Sequence, residues 1–297
     1  MSNYNTETVN VQFLNQSFLD KIDQGMTKEA GVAMSAFVRQ KLREDGFARK
    51  VLQPIAVTAA ELDRQTTEEP TIIVEKEPDS TAANLPFLGR AEIRYWKTSR
   101  YPVTFQKITS AEFKKSKFEL ATYRTDIRTV LQENSVKDLQ EQEDIGFYNN
   151  ILSVANTNSN VFTVAGGFTK TNLLAGVKNL LTKRLPVGCI LMTQSMYNDL
   201  LSFPSTDIGS PAASELFRGQ VTLDNFFGYK IITTNKTNVL PTNQAIVFAP
   251  EAYLGQFYAL QDATVFLKAE MDIIQFSTYE AVGIGLGNVN GAVVLNF

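Results

Sequence analysis

Residues 47–108 cannot build a packed core of their own. Apolar residues are sparse there, proline stands at 54, 70, 78, 86 and 102, and the hydrophobic pattern shifts towards a period of two. Proline lacks an N–H and is excluded from helix interiors and central strands. The segment therefore reads as extended strands and loops. Residues 71–77 read as an outgoing strand, and 92–98 with 101–105 as its return, around a loop containing Ser80, Asn84, Pro86 and Gly89. The reading is a long hairpin projecting from the body. An isolated two-stranded hairpin is only marginally stable in water, so this one needs a surface to lie on.

Charge divides between the two arms of that hairpin. Residues 61–79 hold seven acids and two bases, whereas residues 90–117 hold eight bases and two acids. Opposite charges facing each other across strands add roughly 0.2–1 kcal/mol per pair. Over the whole chain the charges nearly cancel, 28 Lys plus Arg against 31 Asp plus Glu. There is thus no global field to attract nucleic acid or anionic lipid.

The missing residue types exclude more than the totals do. With no histidine, the 297-residue chain has no Ser-His-Asp triad, no Cys-His pair and no His-ligated zinc or iron site. The single cysteine, Cys189, lies among Val187, Ile190 and Leu191 and reads as a small core residue, with no internal disulfide partner. No apolar run approaches the roughly 20 residues of a membrane-spanning helix. Residues 1–10 are polar and lack the pattern of a signal peptide, so synthesis and function in a reducing cytoplasm are expected.

Elsewhere the chain reads as mixed α+β, about two domains or one elaborated one by length. A polar arm, residues 1–24, precedes an amphipathic helix over 27–43 with Ala30, Met34, Phe37, Val38 and Leu42 on one face and Arg39, Lys41 and Arg43 on the other. After a short helical segment at 126–133, Ser135 with Asp138 starts a longer helix running to about 155, solvated or at an interface in its first half. A second helix is expected over 171–185. Short strands at 190–192, 229–233, 245–249, 256–259, 265–269 and 273–280, with a helix at 194–201, lead to a Gly-rich tail ending in an apolar strand.

No active site stands out. Gly283, Gly285 and Gly287 form a GxGxG string, but a strand follows where a phosphate site needs a helix N-terminus. Glu141, Glu143 and Asp144 are the densest acidic group, and such clusters are more often ion-pairing or solvated faces than catalytic pairs. The group Lys114, Lys115 and Lys117 reads as a solvated run or a partner for the acidic arm. Tyr95, Trp96 and Tyr101 have strand spacing that suits interface packing better than base stacking. No cofactor or metal is expected. Arms and hairpins without an active site suit an assembly subunit, which buries such parts against neighbours.

In order and spacing the layout resembles the major capsid proteins of tailed bacteriophages, the Hong Kong 97-like fold, over nearly the whole chain. Arg49-Lys50-Val51-Leu52 resembles the family's arm-to-loop junction, and Glu143-Asp144-Ile145-Gly146-Phe147 the acidic pair of its spine helix. Phe226-Phe227-Gly228-Tyr229-Lys230-Ile231-Ile232 is similar to the turn and strand of its axial domain, and residues 281–294 to its closing strand. The resemblance implies an arm and helix at 1–49, an extended hairpin or E-loop at 50–110, a peripheral domain at 111–187 with the spine helix at about 135–155, an axial domain at 188–262, and closing strands at 263–297.

It also implies a structural subunit, not an enzyme, that self-assembles into pentamers and hexamers in the host cytoplasm. The product would be the virion's icosahedral capsid around double-stranded DNA, with no membrane. Scaffolding, portal and decoration proteins are the further partners implied. The scaffolding segment that many family members carry is not visible before the arm, so scaffold is a separate protein or the chain is complete without it. Glu68, Glu69, Glu75 and Glu77 are expected to pair between subunits with Arg94, Lys97 or Arg100, or with the bases from Arg39 and Arg43 to Arg49. Trp96 is expected at the same contact. The alternatives are an encapsulin-type nanocompartment shell of the same fold, and a soluble binding module or His-independent enzyme using Glu141 or Asp144.

Overall fold

The computed structural model describes residues 24, 46–63, 69–76, 84–90, 99–122, 135, 137–201, 203, 225–226 and 228–297. The expected helices at 27–43 and 126–133, the return strand at 92–98 and the Gly, Ser and Pro-rich loop near 204–211 lie outside these residues.

Three nearly continuous apolar runs locate the core. β7 (Cys189–Thr193), β10 (Gln244–Phe248) and β13 (Ala292–Asn296) are buried almost throughout, as befits strands covered on both faces. They occupy the middle of a six-stranded sheet in the order β6 (Val161–Thr163), β13, β10, β7, β9 (Tyr229–Thr234), β8 (Asn225–Phe226). β10 is antiparallel to both β13 and β7, while β13 with β6 and β7 with β9 run parallel. Strands from either side of the boundaries expected at 188 and 263 therefore join one sheet.

Alternation sorts its side chains. Leu191, Ile246, Phe248 and Val294 enter one core beneath α3 (Lys137–Thr157), which contributes Phe147, Ile151 and Ala155. Ile190, Met192, Val247 and Leu295 enter the other, beneath α4 (Lys170–Thr182) and α5 (Gln194–Leu201), which contribute Leu173, Val177, Leu180, Met196 and Leu200. Cys189 is a buried core residue, and burial pushes its thiol up to about 11 against the opposing charge of Lys230.

Both long helices stop through backbone geometry. After α4, Arg184 takes φ 60°, its N–H reaches the Leu181 carbonyl, and the Leu185 N–H reaches Leu180. That is a Schellman ending, and it stops the helix at Thr182, short of the expected Leu185. Ser159, at φ 54°, closes α3 in the same way, with the Asn160 N–H on the Ala155 carbonyl.

The second sheet is built on a ribbon. β11 (Gln256–Glu270) and β12 (Ile273–Gly285) pair antiparallel around a turn at Met271 and Asp272, a length of roughly 40 Å. β1 (Pro54–Ala56) adds parallel to β11, and β4 (Gln106–Thr109) and β5 (Phe113–Ser116) add antiparallel to β12. The separate strands expected at 256–259 and 265–269 are one strand. Register shifts between Ala259 and Thr264 absorb the polar break at Gln261 and Asp262 that made the sequence look interrupted. Gly283 and Gly285, expected in a Gly-rich tail, are strand residues. A Cβ at Gly285 would stand 2.7 Å from Val103 Cγ2, so the bare backbone is what lets another strand lie across it.

That other strand is β3 (Arg100–Thr104), which pairs antiparallel with β2 (Thr71–Glu75), Glu75 opposite Arg100. The surface the hairpin needs is supplied at its root. Val57, Val103, Phe105 and Tyr258 form a small buried core, flanked by Leu62, Ile72, Val74 and Tyr101.

Candidate functional site

At the foot of the hairpin four elements converge on one guanidinium. Arg49 lies in α1 (Ala48–Val51), a four-residue helix at the start of the stretch whose pattern reads as strands and loops. Its Nε donates to both oxygens of Glu143 at 3.0 and 2.9 Å, and one Nη donates to Glu143 Oε1 at 2.5 Å. That same Nη stands 3.3 Å from Glu280 Oε2 on β12, and the other stands 3.1 Å from Asp262 Oδ1 on β11. The guanidinium also lies 5.5 Å from the Phe257 ring centroid, a cation–π distance. The side chains of Arg49, Glu143 and Glu280 are sealed from water, with 1%, 0% and 0% exposure.

Asp144, the next residue on α3, completes the attachment. It accepts the Ala48 N–H at 2.9 Å on one oxygen and the Lys236 ammonium at 2.6 Å on the other. The adjacent acids thus hold α1 by its first N–H and by its arginine, and Phe47 packs edge-on against Phe147. Glu141, on the more exposed side of the helix, accepts from Asn238. The first half of α3 was expected to be solvated or at an interface. One face of it is packed inside the chain, with Leu139, Gln140, Glu143 and Asp144 buried and the two acids paired there, while Asp138 and Gln142 stay exposed.

Burial sets the protonation chemistry. Burial alone would lower the Arg49 pKa, but the hydrogen bonds and charge of Glu143, followed by Glu280 and Asp262, overcome it and raise it above its ordinary value. Asp144 is raised by burial, opposed by Lys236 and the Ala48 N–H. Glu143 is also raised first by burial, with the Arg49 hydrogen bonds opposing. At Glu280 burial and the neighbouring Glu143 charge act together and push the carboxyl up to about 9. The arginine fills the space between the carboxylates, so the site is suited to holding elements together rather than to turning over a substrate.

Of the contact residues expected from the sequence, the described ones other than Arg49 lie apart from this cluster. Glu68, Glu77, Arg94, Trp96, Lys97, Arg39 and Arg43 lie outside the described residues. Glu69 is exposed just before β2. Glu75 and Arg100 pair with each other across the hairpin at 2.6 Å, at 54% and 65% exposure. Arg49, grouped with Arg39 and Arg43 as a base for a neighbouring subunit, is a correction: it is buried and committed within its own chain.

Among the described residues, the most exposed large apolar side chains gather in two places. Phe87 and Leu88 are exposed almost completely at the hairpin loop, beside the half-exposed Leu85. Met271, Ile273, Phe266 and Phe118 are exposed around the far end of the ribbon, where the Lys117 N–H on the Asp272 carbonyl brings α2 (Lys117–Thr122) to the turn.

Solved structures match this two-sheet α+β body, with its tethered hairpin and long ribbon, over most of the chain. A structure from Microbacterium phage Oxtober96 matches with TM-score 0.62 at 10% identity, covering 85% of this chain and 91% of that one. The capsid structure of the cyanophage P-SCSP1u matches with TM-score 0.59 at 12% identity, covering 82% and 86%. The crystal structure of a virus-like particle from Pyrococcus furiosus matches with TM-score 0.57 at 17% identity, covering 89% and 98%. No family model and no curated protein matches the chain. The fold is the Hong Kong 97-like fold of capsid structures, as the resemblance in sequence implied.

Proposed function

We propose that the chain is a structural subunit that self-assembles into pentamers and hexamers, forming the icosahedral head of a tailed phage around double-stranded DNA. The observation that carries this reading is a likeness to a cyanophage capsid structure over 82% of the chain. Exposed Phe87, Leu88 and Met271 at the ends of extended elements support it, because apolar residues displayed so fully are better explained by a partner surface than by solvent. In this reading residues 50–110 are the E-loop lying over the adjacent subunit, α3 is the spine helix, residues 188–262 give the axial domain and 111–187 with 263–297 the peripheral one. The acidic residues Glu68, Glu69, Glu75 and Glu77 meet the bases of a neighbour, among them Arg94, Lys97 and Arg100. Assembly takes place in the host cytoplasm with scaffolding, portal and decoration partners.

A second reading, an encapsulin-type compartment enclosing protein cargo, is favoured by the match that spans 98% of the Pyrococcus particle chain. Negative-stain microscopy and light scattering of the purified chain test both. Closed shells or capsomer rings are expected, and DNA or protein inside them separates head from compartment. Charge reversal at Glu75 and Glu77 together is expected to change the salt sensitivity of assembly. A chain that stays monomeric at high concentration and binds a small ligand saturably overturns the shell reading.

A further inference from the structure

The junction contains more carboxyl groups than one cation satisfies. Arg49 touches three: Glu143 at 2.5 Å, Asp262 at 3.1 Å and Glu280 at 3.3 Å. Asp262 keeps some exposure, at 16%, but Glu143 and Glu280 have none. Both reach the same Arg49 Nη, so two buried carboxyl groups converge on one nitrogen of one cation. Like charges sharing a buried site disfavour the second ionisation. Among the described residues no donor reaches Glu280 Oε1, which is buried, and a buried anionic oxygen without a donor is strongly disfavoured.

We propose that the junction is closed by a proton: Glu280 is a neutral carboxylic acid at neutral pH, and the ribbon stays locked to the long helix and to the start of the hairpin while that proton is held. The surrounding groups agree. On α3, Glu143 takes both hydrogen bonds of the Arg49 Nε and is the ionised member, and Asp144 is turned to Lys236 and the Ala48 N–H. On β11, Asp262 adds negative charge on the far side of the guanidinium. On β4, Lys107 lies 4.6 Å from the ring centroid of Tyr279, which by strand alternation faces away from Glu280. On α1, Lys50 is exposed.

The sign follows from linkage. The folded-state pKa of Glu280 lies above its ordinary value. Its contribution is complete below the ordinary carboxyl range and is lost as pH rises towards the folded value. At pH 7 unfolding releases about one proton per chain from this residue. Above pH 9 or so the second buried charge opens the junction.

Infrared spectroscopy of the full chain, assembled or not, tests the idea independently of the shell reading. A protonated-carboxyl carbonyl band is expected at neutral pD and lost in Glu280→Gln, which keeps the shape and a donor. Glu143→Gln is expected to abolish the band too, because Glu280 then ionises as the partner of Arg49. Unfolding of Glu280→Gln at pH 7 is expected to release about one proton fewer than wild type. No band at neutral pD, or equal proton release, overturns the proposal. If neither variant folds, the wild-type band decides: persistence to about pH 9 supports it, and disappearance by about pH 5, in the ordinary carboxyl range, overturns it.

Discussion

Two arginine–glutamate contacts of almost equal length stand about 50 residues apart in sequence and in opposite surroundings. Arg49 and Glu143 meet at 2.5 Å with side chains at most 1% exposed, and Arg100 and Glu75 meet at 2.6 Å with both more than half exposed. Distance does not distinguish them. At the hairpin, water solvates either residue when the other is removed, so the pair contributes little. At the junction water does not reach Glu143, so removing Arg49 strands its charge. The buried set fastens the hairpin's origin to the long helix and ribbon, whereas the exposed pair leaves the hairpin surface free to exchange partners.

The largest effect expected is from Arg49→Ala, which leaves Glu143 ionised and unpaired or forces its protonation. The loss should be about 3–5 kcal/mol in a denaturant titration, while Arg100→Ala stays within about 1 kcal/mol. Equal losses at the two sites would break the comparison. Next, Gly285→Val sharpens it by lifting the hairpin root without touching a charge. Its Cβ would meet Val103 at 2.7 Å, and overpacking of this kind costs roughly 1–3 kcal/mol. Limited proteolysis should then cut the hairpin segment faster while the six-stranded sheet stays protected. The smallest is the coupling of Glu75 with Arg100, measured by a double-mutant cycle with Gln at both positions. It should be about 0.2–1 kcal/mol in low salt and vanish near 1 M, where screening acts over roughly 3 Å.

Much of the fold was legible in periodicity and punctuation. The apolar runs at 189–193, 244–248 and 292–296, the long helix, the 194–201 helix and the hairpin core all announced themselves through local pattern. Less legible was the continuity of β11, because a strand whose register shifts at Gln261 loses its period just where a reader would end it. The junction was half visible. Glu143 and Asp144 stood out as an acidic pair beside Phe147, but neighbouring acids on a helix look alike whether solvated or buried. Glu280 carried a usable signal: it alternates with Ile274, Phe276, Thr278 and Val282, all buried, so period two placed it on the inner face. Arg49 had no such mark, since a four-residue helix is too short to show a face.

The sequence by itself determined that histidine-based chemistry is absent and where the apolar strands and helices run. Those follow from composition and from spacings of two to four residues, which local stereochemistry converts directly into structure. Only the tertiary structure decided which charges are buried. Arg49 meets Glu143 across 94 positions and Glu280 across 231. Separations of that length are closed by the packing of sheet, helix and ribbon rather than by any local preference. The bare backbone at Gly285 gained its meaning in the same way, when a strand from far upstream came to lie against it.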